Sequence, residues 1–257
     1  MIRRELGRTG IGVSLLGLGT VKFGRNEGVP YPAPFELPSD RDLARLLGVA
    51  HDHGIDLLDT AAAYGTSEER LGKLLRGKRH LWVLCTKVGE TFVDGKSHFD
   101  FSATGVRRSV ERSLARLRTD VLDIVLVHSD GNDLAVLRNG ETLDTLATLK
   151  RSGSIRAYGV SHKTAEGGFE AIAHTDVVMT TFNPDDATMA PVIARAAHRG
   201  CGVLIKKALA SGTLDVAARA ASLRAAAQLA GVSSIVVGTI DPVHLEENVA
   251  ALSSVRV

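Results

Sequence analysis

At 257 residues the chain exceeds an average domain, yet it suits one large α/β domain. Apolar residues make up 44% and charged residues 23%, which excludes global disorder. The 31 basic and 29 acidic residues are interspersed to a net charge of +2, so no footprint for nucleic acid or an anionic membrane stands out.

Residues 2–12 are short and punctuated by Gly7, Gly10 and Gly12, which suggests a small hairpin ahead of the main body. Val13 to Leu18 is the first apolar run, closed by Gly19-Thr20. The segment 21–38 holds four of the seven prolines (Pro30, Pro32, Pro34, Pro38) and reads as a long loop walling a binding site. Regular alternation begins at Ser39. Helices are predicted over 40–53, 67–75, 104–117, a stretch ending near Ser152-Gly153, 164–174, 191–199 and 216–229. Strands are predicted over 55–59, 81–87, 122–128, 156–160, 177–181, 202–205 and 234–238. A last helix opens with Asp241 as N-cap and Pro242 at its first position. At the second helix, Thr66 with Glu69 three residues on fits a capping box. The strands are short, apolar and β-branched, as strands buried on both faces should be. Eight βα units in this length point to a (β/α)8 barrel, in one domain over 1–257, with a short N-terminal hairpin.

Two cysteines, Cys85 and Cys201, lie far apart and read as a reduced cytosolic pair. The N-terminus lacks the apolar core of a signal peptide, and no run approaches a membrane span. A soluble cytoplasmic monomer is expected, without nucleic-acid or membrane partners. The nine histidines show no metal-ligand spacing.

The predicted strand ends carry polar groups: Asp59, Lys87, His128, Ser161-His162, Lys206-Lys207 and Gly238-Thr239. In a barrel these converge on one mouth. Asp59 could merely bond its own turn, Lys87 could be a solvated strand end, and His128 could be a satisfied buried imidazole. Tyr64, on the loop after Asp59, could be a core aromatic. Together they form an acid, a cation, an imidazole and a phenol at neighbouring strand ends, which favours chemistry. An ammonium beside a phenol lowers the phenol's pKa, and a carboxylate keeps that ammonium charged. Such a set suits protonation of an oxygen while a cofactor delivers hydride to carbon.

These residues resemble the aldo-keto reductases. The resemblance runs through Gly17-Leu18-Gly19-Thr20, Asp59-Thr60-Ala61-Ala62-Ala63-Tyr64-Gly65 with Ser67-Glu68, and Thr86-Lys87. It continues in Ser113 to Asp120, Leu126-Val127-His128, Gly159-Val160-Ser161, Phe182-Asn183, Ala208 to Gly212, and Glu246-Glu247-Asn248. It implies reduction of a small carbonyl compound, with Tyr64 as proton donor, Lys87 tuning it, Asp59 partnering Lys87, and His128 orienting the carbonyl. It implies a nicotinamide near Gly19, Thr20 and Val21, with Ser161, His162 and Met179 around the carboxamide. Lys207, Ala208, Leu209 and Ser211 would wrap the pyrophosphate, Lys206 stands where some members stack an aromatic on the nicotinamide, and Gly238, Thr239, His244, Glu247 and Asn248 would hold the adenosine part. NADP(H) is implied ahead of NAD(H).

The departures are His162 for Asn, Met179 for Gln, Phe182 for Tyr, Lys206 for an aromatic, Gly238 for Lys, and His244 for an Arg that grips the 2′-phosphate. Lys206 or Lys207 could restore that charge. The short stretch between Gly212 and Ala217 implies an open cofactor site. The substrate pocket is expected from 21–38, 90–102 and 129–139. There Phe92, His98, Phe99 and Phe101 either line an apolar pocket or pin the loop to the barrel. Two other readings stand: a nucleotide-binding sensor with little turnover, and a Schiff-base enzyme using Lys87 or Lys206.

Overall fold

The structure is a computed structural model that describes residues 1–29, 31 and 34–255. Pro30 and Pro32 of the proline-rich segment lie outside the described residues, as does the tail's end at Val257.

A hairpin opens the chain. β1 (Arg3–Glu5) runs antiparallel to β2 (Gly12–Ser14), with Arg3 opposite Ser14. Then come β3 (Leu16–Gly19), a short α1 (Val21–Gly24), α2 (Asp40–Asp52), β4 (Leu57–Asp59), α3 (Ser67–Leu74) and β5 (Val83–Val88). A second hairpin, β6 (Glu90–Val93) and β7 (Lys96–Phe99), precedes α4 (Ala103–Leu117) and β8 (Leu122–His128). The chain continues through α5 (Asp133–Arg138), α6 (Glu141–Arg151), β9 (Ile155–Ser161), α7 (Ala165–His174), β10 (Val177–Thr181) and α8 (Ala190–Arg199). It ends with β11 (Gly202–Lys206), α9 (Val216–Gln228), β12 (Val232–Gly238) and α10 (Pro242–Leu252).

Strands β3, β4, β5, β8, β9, β10, β11 and β12 pair in that order, all parallel, and β12 closes on β3 through Gly238 opposite Gly19. This is the (β/α)8 barrel expected from the sequence, and the N-terminal hairpin is present. Alternate strand residues point to opposite faces. The outward set packs under the helices; the inward set forms a separate core of Leu57, Cys85, Ile124, Leu126, Ala157, Val177, Met179, Leu204 and Val236. Leu6, Ile11 and Val13 of the first hairpin join that inner core. They plug the end of the barrel where the strands begin, which leaves the other end open.

Three local expectations are corrected. The segment 21–38 is not all loop, since α1 occupies Val21–Gly24. Residues 90–102 are largely the β6–β7 hairpin, turned at Asp94 and Gly95, which both take positive φ. Thr66 makes no capping bond, and its backbone already turns with ψ near 6°. Instead Ser67 bonds Thr20 at 2.9 Å and Thr60 at 3.0 Å, and Glu68 accepts from Thr86 at 2.6 Å. These tertiary bonds hold the Tyr64 loop between β3 and β5 and take over the work of a cap. Among the described residues no helix is long and apolar enough to cross a membrane.

Candidate active site

Each barrel strand carries an inward-pointing residue at its last position or the one before. In order these are Gly19, Asp59, Lys87, His128, Ser161, Thr181, Lys206 and Gly238. All eight line one cavity of about 760 Å³ at the open mouth, together with Tyr64. Register explains the convergence: Gly19 lies opposite Asp59, His128 opposite Ser161, and Thr181 opposite Lys206. Thr181 completes the row and was not foreseen, although counting two residues on from the inward Met179 finds it.

Lys87 is the buried centre. Its Nζ donates to Asp59 Oδ1 at 2.7 Å and to the Thr60 carbonyl at 2.9 Å. It is 2% exposed. Burial alone would strip its proton, but Asp59 outweighs that, and the net shift is upward; the lysine stays charged. Its Nζ stands 4.8 Å from the Tyr64 ring centroid. The phenol corrects the simple expectation of a lowered pKa. Burial raises it, Lys87 pulls it down and Asp59 pushes it up, so that the net shift is upward. Tyr64 therefore keeps its proton at neutral pH.

His128 meets Tyr64 edge-on, with ring centroids 6.2 Å apart. Its Nδ1 is buried 2.6 Å from Glu90 Oε2, while the ring's accessible edge faces the cavity. Glu90 was not singled out from the sequence. It sits on β6, accepts from Ser97 Oγ at 2.6 Å, and lies 4.0 Å from Arg25. Burial raises its pKa, but His128, Ser97 and Arg25 bring it down to about 2, so it is a carboxylate throughout the working range. A carboxylate cannot donate, so Nδ1 carries the proton in this pair. Burial lowers the pKa of His128. The neutral ring thus presents a bare Nε2, and donation to a carbonyl oxygen requires the imidazolium.

This pairing carries a prediction. Glu90→Gln removes the negative charge that favours the imidazolium, so His128 should lose its proton at lower pH. The expected drop is about one pH unit. Proton and nitrogen NMR titration of the His128 ring checks it. An unmoved midpoint would show that Glu90 does not govern this imidazole.

Of the residues expected around a cofactor, Gly19, Thr20, Val21, Asp59, Ser161, His162, Met179, Lys206, Lys207, Ala208, Leu209, Ser211 and Gly238 line the cavity. Thr239, His244, Glu247 and Asn248 do not line it; they lie at the start of α10 and along it. Thr239 accepts from the Asp241 amide at 3.1 Å, and Glu247 lies 3.7 Å from Arg219 of α9. Arg219 is a cation near this group that sequence reading missed, because nothing local links 219 to 247. Lys206 is held inside the mouth. Its Nζ donates to Ser161 Oγ at 2.9 Å and to the His162 carbonyl at 2.8 Å. Ser161 thus already accepts a hydrogen from Lys206. His162 directs Nδ1 at the Thr164 carbonyl, 2.9 Å away.

A dinucleotide fits these residues on three observations. Lys207, Ala210, Ser211 and Gly212 all take positive φ, which bends the backbone into a turn of the kind that gathers amides around an anion. The cavity lining carries Lys22, Arg25, Lys87, Lys163, Lys206 and Lys207 against two carboxylates, Asp59 and Glu90. A Cβ on Gly19 would come within 3.2 Å of Val236 and narrow the floor.

The lining mixes polar and apolar groups. Arg25, Glu90 and Ser97 line the cavity, with Val29 and Tyr31 also in the lining, whereas Phe92, Phe99 and Phe101 do not. Phe92 lies 3.4 Å from the Arg25 guanidinium, and Phe99 stacks on Phe101 at 5.9 Å. Phe92 and Phe101 pin the hairpin, Phe99 is exposed, and the apolar-pocket reading falls.

The Aldo/keto reductase family model matches residues 15–221. The crystal structure of a Pseudomonas aeruginosa protein assigned to the aldo-keto reductases superposes with a TM-score of 0.89 at 55% identity, covering 97% of this chain and 94% of that one. The L-galactose dehydrogenase of Arabidopsis thaliana is 30% identical over 82% of this chain and 66% of its own length. The oxidoreductase YqkF of Bacillus subtilis is 31% identical over 63% of this chain. The match spans only 49% of YqkF's length.

Proposed function

The chain belongs to the Aldo/keto reductase family, and from that membership we propose that it reduces an aldehyde or ketone to an alcohol with NADPH or NADH. The observation that carries this reading is the buried Lys87–Asp59 pair beside the Tyr64 phenol. A nicotinamide cofactor, when bound, supplies the hydride. Tyr64 holds a proton at neutral pH and gives it to the substrate oxygen. The phenolate left behind faces the fixed charge of Lys87. That charge favours the state after proton transfer over the state before it, which is how a catalytic group lowers a barrier. Asp59 and the Thr60 carbonyl keep the ammonium charged and aimed. Lys87 is for that reason a poor nucleophile, which disfavours a Schiff base there. His128 donates to the carbonyl oxygen when protonated. When neutral, its bare Nε2 accepts from a substrate hydroxyl.

Arg25, Glu90, Ser97 and that Nε2 offer polar partners that favour a hydroxylated carbonyl over an alkyl one. The sugar named for the Arabidopsis relative supports the same class. The test is turnover of purified protein with hydroxyaldehydes, sugars and alkyl aldehydes, each at high NADPH and at high NADH. Steady oxidation of the cofactor, faster with hydroxylated compounds, is the expected result. Tight cofactor binding without turnover on any carbonyl would favour the sensor reading instead.

A further inference from the structure

The cations of the mouth are not equally answered. Lys87 meets Asp59, and Arg25 faces Glu90. Lys206 meets no carboxylate among the described residues; its two acceptors, Ser161 Oγ and the His162 carbonyl, are neutral. Burial pulls its pKa down to about 7. Lys207 beside it, Lys87 on β5 and Lys163 after β9 push the same way, against Asp133 on α5. His162 is held down at about 4 and is neutral, and His128 on β8 lies within the field of Lys206.

Lys206 also stands at a junction. The chain passes from it directly into the left-handed turn that begins at Lys207 and ends at Gly212. Tyr64 and Lys87 face it across the same cavity. A dinucleotide with its pyrophosphate at that turn, and its reactive ring at Tyr64, must carry the ring past Lys206. Nicotinamide is neutral when reduced and a cation when oxidised. Resting on the reductase reading above, we infer that Lys206 selects the redox state of the bound cofactor, its unanswered charge favouring the neutral reduced ring and repelling the oxidised one. The selection holds while Lys206 is protonated and fades as it loses its proton. The same field opposes charge growing on the ring, so faster release of the oxidised cofactor comes at a cost to hydride transfer. Such release often limits turnover in enzymes.

The test is calorimetric titration of wild type and Lys206→Met with NADPH, NADP+, NADH and NAD+, at about pH 6 and about pH 9, either side of the lysine's midpoint. Each oxidised and reduced pair carries the same phosphates, so their titration cancels in the ratio of dissociation constants. At the lower pH the oxidised-to-reduced Kd ratio should be about tenfold larger in wild type than in the variant, as expected for like charges a few ångströms apart in a partly screened site. At the higher pH the two proteins should converge. Should the variant fail to fold, the wild type alone must show its ratio falling about tenfold between the two pH values. Binding with a ratio that ignores both pH and substitution overturns the selector and leaves the reductase reading standing. Wild type that binds none of the four sinks both.

Discussion

Tyr64→Phe should lose about a thousandfold in kcat/KM, within the range general acids contribute, while cofactor affinity changes by less than about twofold. The substitution is narrow. Phenylalanine keeps the ring that stands 4.8 Å from Lys87 Nζ and 6.2 Å from the His128 ring, and removes only the hydroxyl. Packing of the loop should survive, because it rests on Ser67 with Thr20 and Thr60 and on Glu68 with Thr86, not on the phenol. The sign of the pH dependence follows from burial. The hydroxyl is held above its ordinary value, so the wild-type donor is fully protonated at neutral pH and reduction should be flat there. Alcohol oxidation needs the phenolate and should climb only at alkaline pH. Both limbs should vanish in the variant. Steady-state kinetics in both directions, with calorimetric cofactor affinities, check this. Turnover kept within tenfold of wild type would remove Tyr64 from the proton's path and leave a water or His128 to carry it.

Much of this site was legible because a barrel strand alternates. The polar residues that interrupt apolar runs at Asp59, Lys87, His128 and Lys206 all fall on the inward parity, and closure of the sheet brings them together. Glu90 was less legible, since it sits two residues past its barrel strand on a hairpin that was read as loop. A signal was present: Asp94-Gly95 is a favoured two-residue turn, and both residues take the positive φ such a turn needs. Each face mixes polar with apolar residues, Phe92 and Phe99 beside Glu90 and Ser97 on one and Val93 beside Thr91 on the other, so the hairpin lacked the apolar stripe that marks a strand. Thr66 and Glu69 satisfied a local helix rule that lost to tertiary bonds from Ser67 and Glu68. The tip of Lys206 depended on Ser161, 45 positions away, and the neighbourhood of Glu247 on Arg219, 28 positions away. No local pattern encodes such pairs.

Asp59→Asn should be the most destabilising of the conservative changes in the mouth, by about 3–5 kcal/mol at neutral pH. Asparagine preserves shape and still offers an oxygen to Lys87, but it removes the only carboxylate paired with that ammonium among the described residues. The Thr60 carbonyl is the neutral acceptor that remains. Lys87 must then stay charged without an answer or give up its proton on folding. The pH dependence separates this from a packing defect. In wild type the folded pKa of Lys87 lies above the 10.5 of the free side chain, so the pair's contribution is complete below that value and is lost only at still higher pH. In Asp59→Asn burial goes unopposed and the folded pKa falls below 10.5. The unfolded chain then binds the extra proton, and the variant should gain stability as pH rises towards that value, closing the gap to wild type. Adding Lys87→Met should restore much of the loss, since an apolar side chain in that place leaves no charge to solvate. Urea unfolding of the two single variants and the double, at neutral and alkaline pH, reads all of this. A gap that is constant with pH, or a double variant weaker than both singles, would mean that Asp59 holds the mouth together by shape and not by charge. The fixed ammonium beside Tyr64 would then lose its electrostatic explanation.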